Sequence, residues 1–361
     1  MVPLERLTIR GFKSIRSLED FALRDLNVLI GANGAGKSNF ISLFRMLPEL
    51  AEQRLQLFVQ EQDGPDGLLF GTRKRTDQLD VELYFGRNGY RFSLRPAASR
   101  LVFSREETWF SGDADPGEIR SLGSGHGEAQ LPEARKDALA GFVLEALRGW
   151  RVYHLHDTGR EAPLRHAQPV RDNLKLKPDA ANLAPFLRFL RERFPDHHQS
   201  IVSTIRLVAP FFADFVHRED PGERVELEWL EQGDPETPRS PRQLSDGSLR
   251  FIGLATILLQ PAHLQPSTIL IDEPELGLHP FALTVLAGLL RQASEQRQII
   301  VSTQSVDLIN ELAPEDVVVV GRKEGASTFE RLDAGRLEEW LQDYTLGELW
   351  KMNVLGGRPA R

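Results

Sequence analysis

Eight contiguous residues constrain this chain more than any others: Gly31-Ala32-Asn33-Gly34-Ala35-Gly36-Lys37-Ser38. The apolar run Leu26–Ile30 precedes them, and Phe40, Leu43, Phe44, Leu47 and Leu50 follow at helical spacing. Strand, G-x-x-x-x-G-K-S loop and helix in that order make an anion cradle. Glycines let successive backbone N–H groups curl around phosphate oxygens, and the helix N-terminus adds partial positive charge. Lys37 supplies the charge for the β- and γ-phosphates, and the Ser38 hydroxyl is a ligand for Mg²⁺. The whole stretch Gly31 to Asn39 is therefore expected to hold ATP with Mg²⁺. Pro48 is expected to kink or break the helix that follows.

A second local pattern complements the first. Ile269-Leu270-Ile271-Asp272-Glu273-Pro274 is an apolar strand that ends in two acids. At the carboxyl edge of a parallel sheet, Asp272 is placed to hold Mg²⁺, and Glu273 to polarise an attacking water as general base.

Composition bounds the rest. The chain has 361 residues, 41% of them hydrophobic and 27% charged, as in ordinary folded proteins. At about 150 residues per domain that means two domains, or one large α/β domain with an insertion. With no cysteine there are no disulfides, thiolate metal sites or cysteine nucleophiles. No apolar run approaches the ~18 residues a membrane span needs. Met1–Arg6 has no apolar core, so no secretory signal is expected and a cytoplasmic home is. A net charge of −8 argues against a positively coated chain and leaves room for a local basic face.

Periodicity gives the layout. Leu7–Ile9 and Leu26–Ile30 read as strands. Residues 79–103 alternate in polarity around the turn Gly86-Arg87-Asn88-Gly89 and read as an antiparallel meander. Residues 111–133 read as a surface loop and 231–242 as a linker containing Gly233, Pro235, Pro238 and Pro241. Helices are expected near 133–149, 182–194 (with Asn182 as N-cap), 198–216, 247–260 and from Pro280. Strands at 268–272, 299–301 and 317–320 between helices imply a parallel sheet.

At 244–250 the residues carry a resemblance. Ser245-Asp246-Gly247-Ser248 resembles the Ser-Gly-Gly-Gln signature of ATP-binding-cassette (ABC) ATPases, and Glu275-Leu276-Gly277-Leu278-His279-Pro280 resembles the D-loop of their RecF- and SMC-like branch. Gly11-Phe12-Lys13-Ser14 and Gly36 to Phe40 are similar to that branch too. The likeness covers residues 4–60 and 240–321 well and the middle more loosely.

The resemblance implies an α/β P-loop NTPase of the ABC-head type: a mixed central sheet, an antiparallel β-meander lobe and a helical lobe. It implies a core at 1–60 and 240–361 with 61–239 inserted. It implies a homodimer that sandwiches ATP, one protomer contributing the loop, Asp272 and Glu273, the other Ser245 and Gly247. The chain departs from the pattern twice. Asp246 puts an acid in the signature. Gln304, in Val301-Ser302-Thr303-Gln304-Ser305, stands where a switch histidine is usual; an amide hydrogen-bonds but carries no proton or charge, so slow hydrolysis or a binding switch is expected rather than rapid turnover. A glutamine contacting Mg²⁺ is also implied, and Gln53, Gln56, Gln60 and Gln62 leave the choice open.

His154-Leu155-His156-Asp157 reads as a structural hydrogen-bonded pair rather than a metal site. Arg73-Lys74-Arg75 reads as a solvated run, and Ser305 as no nucleophile for want of a nearby histidine. Neither coiled-coil arms nor an appended Toprim nuclease is expected. The resemblance implies an ATPase in DNA-associated work such as repair or phage defence. The alternative is an ATP-holding module that gates a separately encoded effector. DNA and such an effector are the candidate partners, and a membrane is not.

Overall fold

The structure, a computed structural model, describes residues 3–111, 118–220 and 222–356. The 112–117 portion of the expected 111–133 loop lies outside them. Two compact units emerge: 1–151 with 313–361, and 152–312.

The first unit opens with strands β1 (Arg6–Phe12), β2 (Ile15–Ala22) and β3 (Leu26–Ile30) and helices α1 (Lys37–Ala51) and α2 (Leu55–Glu61). Strands β4 (Leu79–Phe85), β5 (Asn88–Ala97), β6 (Arg100–Phe110) and β7 (Glu118–Gly123) follow, then α3 (Ala138–Arg148) and β8 (Trp150–Tyr153), where the second unit begins. The antiparallel sheet runs β2-β1-β4-β5-β6-β7. The meander alternates as expected, with Leu79, Val81, Leu83 and Phe85 inside. It is wider than its local pattern, because β1 pairs with β4 and β7 adds an edge. The loop expectation for 111–133 is corrected at β7, whose mostly polar, exposed residues hide strand character from periodicity.

On α1, Phe40, Leu43, Phe44, Leu47 and Leu50 are all fully buried. Phe40 packs against Phe21 and Phe329 at 6.1 and 5.4 Å, and Phe44 against Trp150 at 5.1 Å. Each such ring contributes about 1.5–3 kcal/mol of apolar burial. The helix runs on through Pro48 to Ala51, so the proline does not break it.

The second unit contains β9 (Gln168–Pro169), α4 (Leu183–Arg193), α5 (Pro195–Val208), β10 (Phe212–Phe215), β11 (Arg224–Val225), β12 (Trp229–Glu231), β13 (Asp234–Arg239), α6 (Asp246–Leu259), β14 (Thr268–Asp272), α7 (Pro280–Ser294), β15 (Gln298–Thr303) and α8 (Val306–Asn310). β14 and β15 pair in parallel, Asp272 opposite Ser302. Three expectations are corrected here. The 198–216 helix ends at Val208, ahead of Pro210, and β10 replaces its last turn. The 231–242 linker is mostly a hairpin arm: β12 pairs with β13 about Gly233, whose φ is 87°, and the prolines of β13 sit on an edge. The Asn182 side chain does not cap α4; it bonds Lys177 N–H, Asp172 O and Lys175 O, closing the preceding loop.

The chain then returns to the first unit with β16 (Val317–Lys323), β17 (Ala326–Arg331), α9 (Ala334–Leu341) and α10 (Leu346–Lys351). β16 pairs in parallel with β3 and antiparallel with β17, so this sheet is mixed. No described helix is long and apolar enough to cross a membrane.

Candidate functional site

In the first unit, β3 is buried along its length and delivers the chain into the Gly31–Ser38 turn. Gly34 and Gly36 have φ of 76° and 118°, a region L side chains rarely adopt. A Cβ at Gly31 would lie 2.3 Å from Val320 O, and one at Gly36 2.0 Å from Ser327 Oγ. The glycines are thus fixed by backbone shape and by close neighbours. Helix α1 begins without a side-chain cap and without an acid in its first turn. Its N-terminal N–H groups and dipole are left for an anion. Lys37 is 5% exposed, and its ammonium donates to Gly31 O at 2.6 Å and Ala32 O at 3.3 Å, lying back along the loop. Ser38 is exposed at the start of the helix.

Behind the loop runs a chain of hydroxyls that local sequence patterns do not reveal. Asn39 Nδ2 donates to Ser14 Oγ at 2.7 Å, Ser14 Oγ lies 2.6 Å from Ser327 Oγ, and Ser327 Oγ donates to Ala35 O at 2.6 Å. Asn39 is thereby tied through two hydroxyls to the loop carbonyl of Ala35. Of the four glutamines, Gln53 donates to Ala129 O, Gln56 to Leu101 O and Gly127 O, and Gln62 accepts from Lys13, while Gln60 is exposed. Lys13 is held below its usual pKa by burial and by nearby Arg45. Arg73 is engaged by Asp66 and Ala98 O, in keeping with a surface role.

In the second unit, Asp272 ends β14, 7% exposed, and Ser302 Oγ donates to its carboxylate. Glu273 follows with a left-handed backbone, φ 46°, its N–H bonded to Ser302 O at 2.8 Å. The Gln304 amide donates to the Glu273 carboxylate, and the Gln304 N–H donates to Glu275 Oε1 at 2.7 Å. Burial pushes the Glu275 carboxyl above its usual pKa. Asp272, Glu273 and Gln304 are thus brought together, although 31 residues separate Glu273 from Gln304. His156 Nε2 lies 3.1 Å from Asp272 O, and among the described residues no group of three or more His, Asp or Glu could hold a metal. Ser305 caps α8 through Leu308 N–H.

The signature-like segment also belongs to this unit. Ser245 Oγ accepts from Ser248 N–H at 3.1 Å and caps α6. A Cβ on Gly247 would lie 2.2 Å from Gly277 O, so the signature and the D-loop-like turn pack backbone to backbone. Arg250, largely buried, binds them further: it donates to Leu276 O, Leu155 O and His156 O. The acid at Asp246 is not bare. Arg165, 4% exposed, meets it at 2.6 Å and also donates to Thr158 O, Pro241 O and Leu244 O. Neither arginine stands near its partner in sequence, which is why periodicity and motif spacing miss them.

The model of the AAA_21 family, described as "AAA domain, putative AbiEii toxin, Type IV TA system", matches residues 26–310. The chain belongs to the AAA_21 family. This AAA_21 chain is also similar to the OLD nuclease of Thermus scotoductus, 25% identical over 84% of this chain and 59% of that one. It is similar to the "Putative ABC transporter ATP-binding protein" of Geobacter sulfurreducens, 31% identical over 22% of this chain and 30% of that one. It therefore spans less than two thirds of the length of either relative. Among solved structures, an Smc head bound to the C-winged helix domain of ScpA matches with TM-score 0.62 and 17% identity, over 93% of this chain and 99% of that one. A Pyrococcus furiosus Smc head with an extended coiled coil, bound to the C-terminal domain of ScpA, matches with TM-score 0.56 and 15% identity, over 94% and 98%. In family this is an AAA_21 protein, and in fold it is like the Smc head domains.

Proposed function

We propose that this protein binds and slowly hydrolyses ATP, releasing ADP and phosphate. The observation that carries this is the Gly31–Ser38 loop: positive-φ glycines, a buried lysine, and a helix N-terminus free of side-chain caps and acids. Those features fit a triphosphate and leave no room for side chains at Gly31 or Gly36. Backbone N–H groups of the loop and Lys37 would bind the β- and γ-phosphates, while Ser38 and Asp272 would hold Mg²⁺. Mg²⁺ supplies positive charge to the phosphate oxygens and leaving group. Glu273 takes a proton from the water that attacks the γ-phosphorus as the bond to ADP oxygen breaks. Gln304, which already meets the Glu273 carboxylate, orients that base and hydrogen-bonds the phosphate region.

We further propose a homodimer in which Ser245 and Gly247 of one protomer complete the site of the other. The functional core is then 1–60 with 240–361, and 61–239 is its insertion. The relation to a nuclease over most of the chain supports work on nucleic acid, and repair or phage defence on DNA in the cytoplasm completes this reading. A second reading, an ATP-dependent module gating a separate effector, is favoured by one observation: Trp340, Tyr344, Met352 and Val354 are exposed at the C-terminal helices. ATPase assays with and without DNA separate the two. DNA-stimulated turnover supports the first; ATP-dependent co-purification of one effector without a DNA response supports the second.

Glu273→Gln tests the reaction itself. The amide keeps shape but not basicity, so ATP should stay bound, turnover should fall about 100-fold or more, and light scattering should report more dimer. Wild-type turnover in this variant removes the base. Gln304→Ala should lower turnover, whereas Gln304→His should retain or raise it. If both match wild type, Gln304 has no part in the site.

A further inference from the structure

Glu275 sits oddly for a surface turn. It is largely buried, and its Oε2 has no hydrogen-bond partner. Burying a carboxylate is unfavourable unless something compensates, and a backbone turn alone would be served by a neutral residue. What Glu275 holds is specific. Its Oε1 accepts the Gln304 N–H at 2.7 Å, at the point where β15 gives way to α8. The next N–H, that of Ser305, goes to Thr303 Oγ1 at 2.9 Å, and Ser305 itself caps α8. Within this turn, the Gln304 N–H and the Thr303 side chain both reach Glu275, and of the two it is Gln304 whose side chain goes on to the base. With its backbone held there, the Gln304 side chain reaches Glu273. Glu273 is itself fixed by its own N–H bond to Ser302 O and by its left-handed backbone.

We infer that Glu275 is a positioning residue for hydrolysis: its carboxylate holds the Gln304 N–H and thereby sets the Gln304 amide against the Glu273 carboxylate. It need touch neither nucleotide nor water. The inference deepens the reading of Glu273 as base and rests on it. It also gives the first residue of the D-loop-like segment a task within its own protomer, separate from any contact across a dimer. Misplacing a catalytic group by about 1 Å can cost about 100-fold in rate, so one anchoring bond is enough to matter.

The test uses the full chain. Glu275→Ala should lower kcat about 10-fold or more, with KM for ATP changed less than about threefold, because the phosphate loop is intact. Glu275→Gln still offers an acceptor oxygen and should recover most of that loss. The pair Glu275→Ala with Gln304→Ala should be no slower than Gln304→Ala alone, since the first acts through the second. Amide exchange read at Gln304 should be slow in wild type and in Glu275→Gln, and fast in Glu275→Ala, whatever the turnover. Additive losses in the double variant, or a Gln304 amide equally protected without Glu275, would overturn the inference. Absence of ATP hydrolysis by the wild-type protein removes the reading of Glu273 as base and this role with it; the exchange result stands apart from it and reports on the bond alone.

Discussion

Two helix N-termini are proposed to meet phosphate, and they are built in opposite ways. Helix α1 starts at a left-handed glycine, with no capping side chain and no acid in its first turn. Helix α6 starts at Ser245, which caps it, and Asp246 occupies its first turn with Arg165 alongside. In the first case the chain leaves the helix's unpaired N–H groups to a ligand. In the second it satisfies part of them itself and adds a balanced charge pair. The first terminus is therefore suited to hold an anion by itself, and the second to add to an anion already held. That division matches a nucleotide bound by one protomer and closed over by another.

The comparison can be broken most forcefully at α1. Lys37→Ala should weaken ATP binding or turnover by about 100-fold or more, read by calorimetry and by phosphate release. A folded variant with wild-type affinity would leave α1 no special place. Next comes backbone packing at α6. Gly247→Ala pushes a methyl onto Gly277 O, and a loss of about 2 kcal/mol in stability is expected, together with loss of ATP-dependent dimer. Gly34→Ala meets nothing within 4 Å in the protein itself, so in thermal melts without nucleotide it should show only the cost of its positive φ, about 1 kcal/mol. Arg165→Ala sharpens the contrast, because it leaves Asp246 without its partner. ATP-driven dimerisation should fall, and adding Asp246→Asn should restore it; failure of that rescue would mean that Arg165 only braces carbonyls. The smallest effect belongs to Ser245→Ala, about 1 kcal/mol of helix stability with ATP binding to the single protomer unchanged.

What was legible in the sequence was what is contiguous. The phosphate loop, the acids ending β14 and the Ser245 cap each occupy a few adjacent residues, so glycine spacing, an apolar run or a capping serine declares them. The support around them is assembled from afar. Ser14 and Ser327 lie 313 residues apart, and Arg165 and Asp246 81 apart, and hydroxyls and arginines carry no periodicity that would announce a partner. The fold divides in the same manner. Alternation located β4 and β5, yet which strands flank them depends on pairing, and β1 chose β4 rather than β3. Strand β7 was hidden because an edge strand with exposed polar residues has no buried face to alternate. The 231–242 stretch looked like a linker because prolines are tolerated on an edge strand and in loops alike.

The left-handed backbone at Glu273 has a consequence for the protein's history. A side chain in that conformation costs of order 1 kcal/mol that glycine would not. Where relief of that cost exceeds the lost Gln304 hydrogen bond, glycine at 273 should make a protein that melts later and, by the proposed chemistry, loses most of its turnover. Selection for heat tolerance alone, in a laboratory population with no demand for turnover, would drift toward that loss. The persistence of glutamate through such a population would mean that the Gln304 hydrogen bond to its carboxylate outweighs the backbone cost.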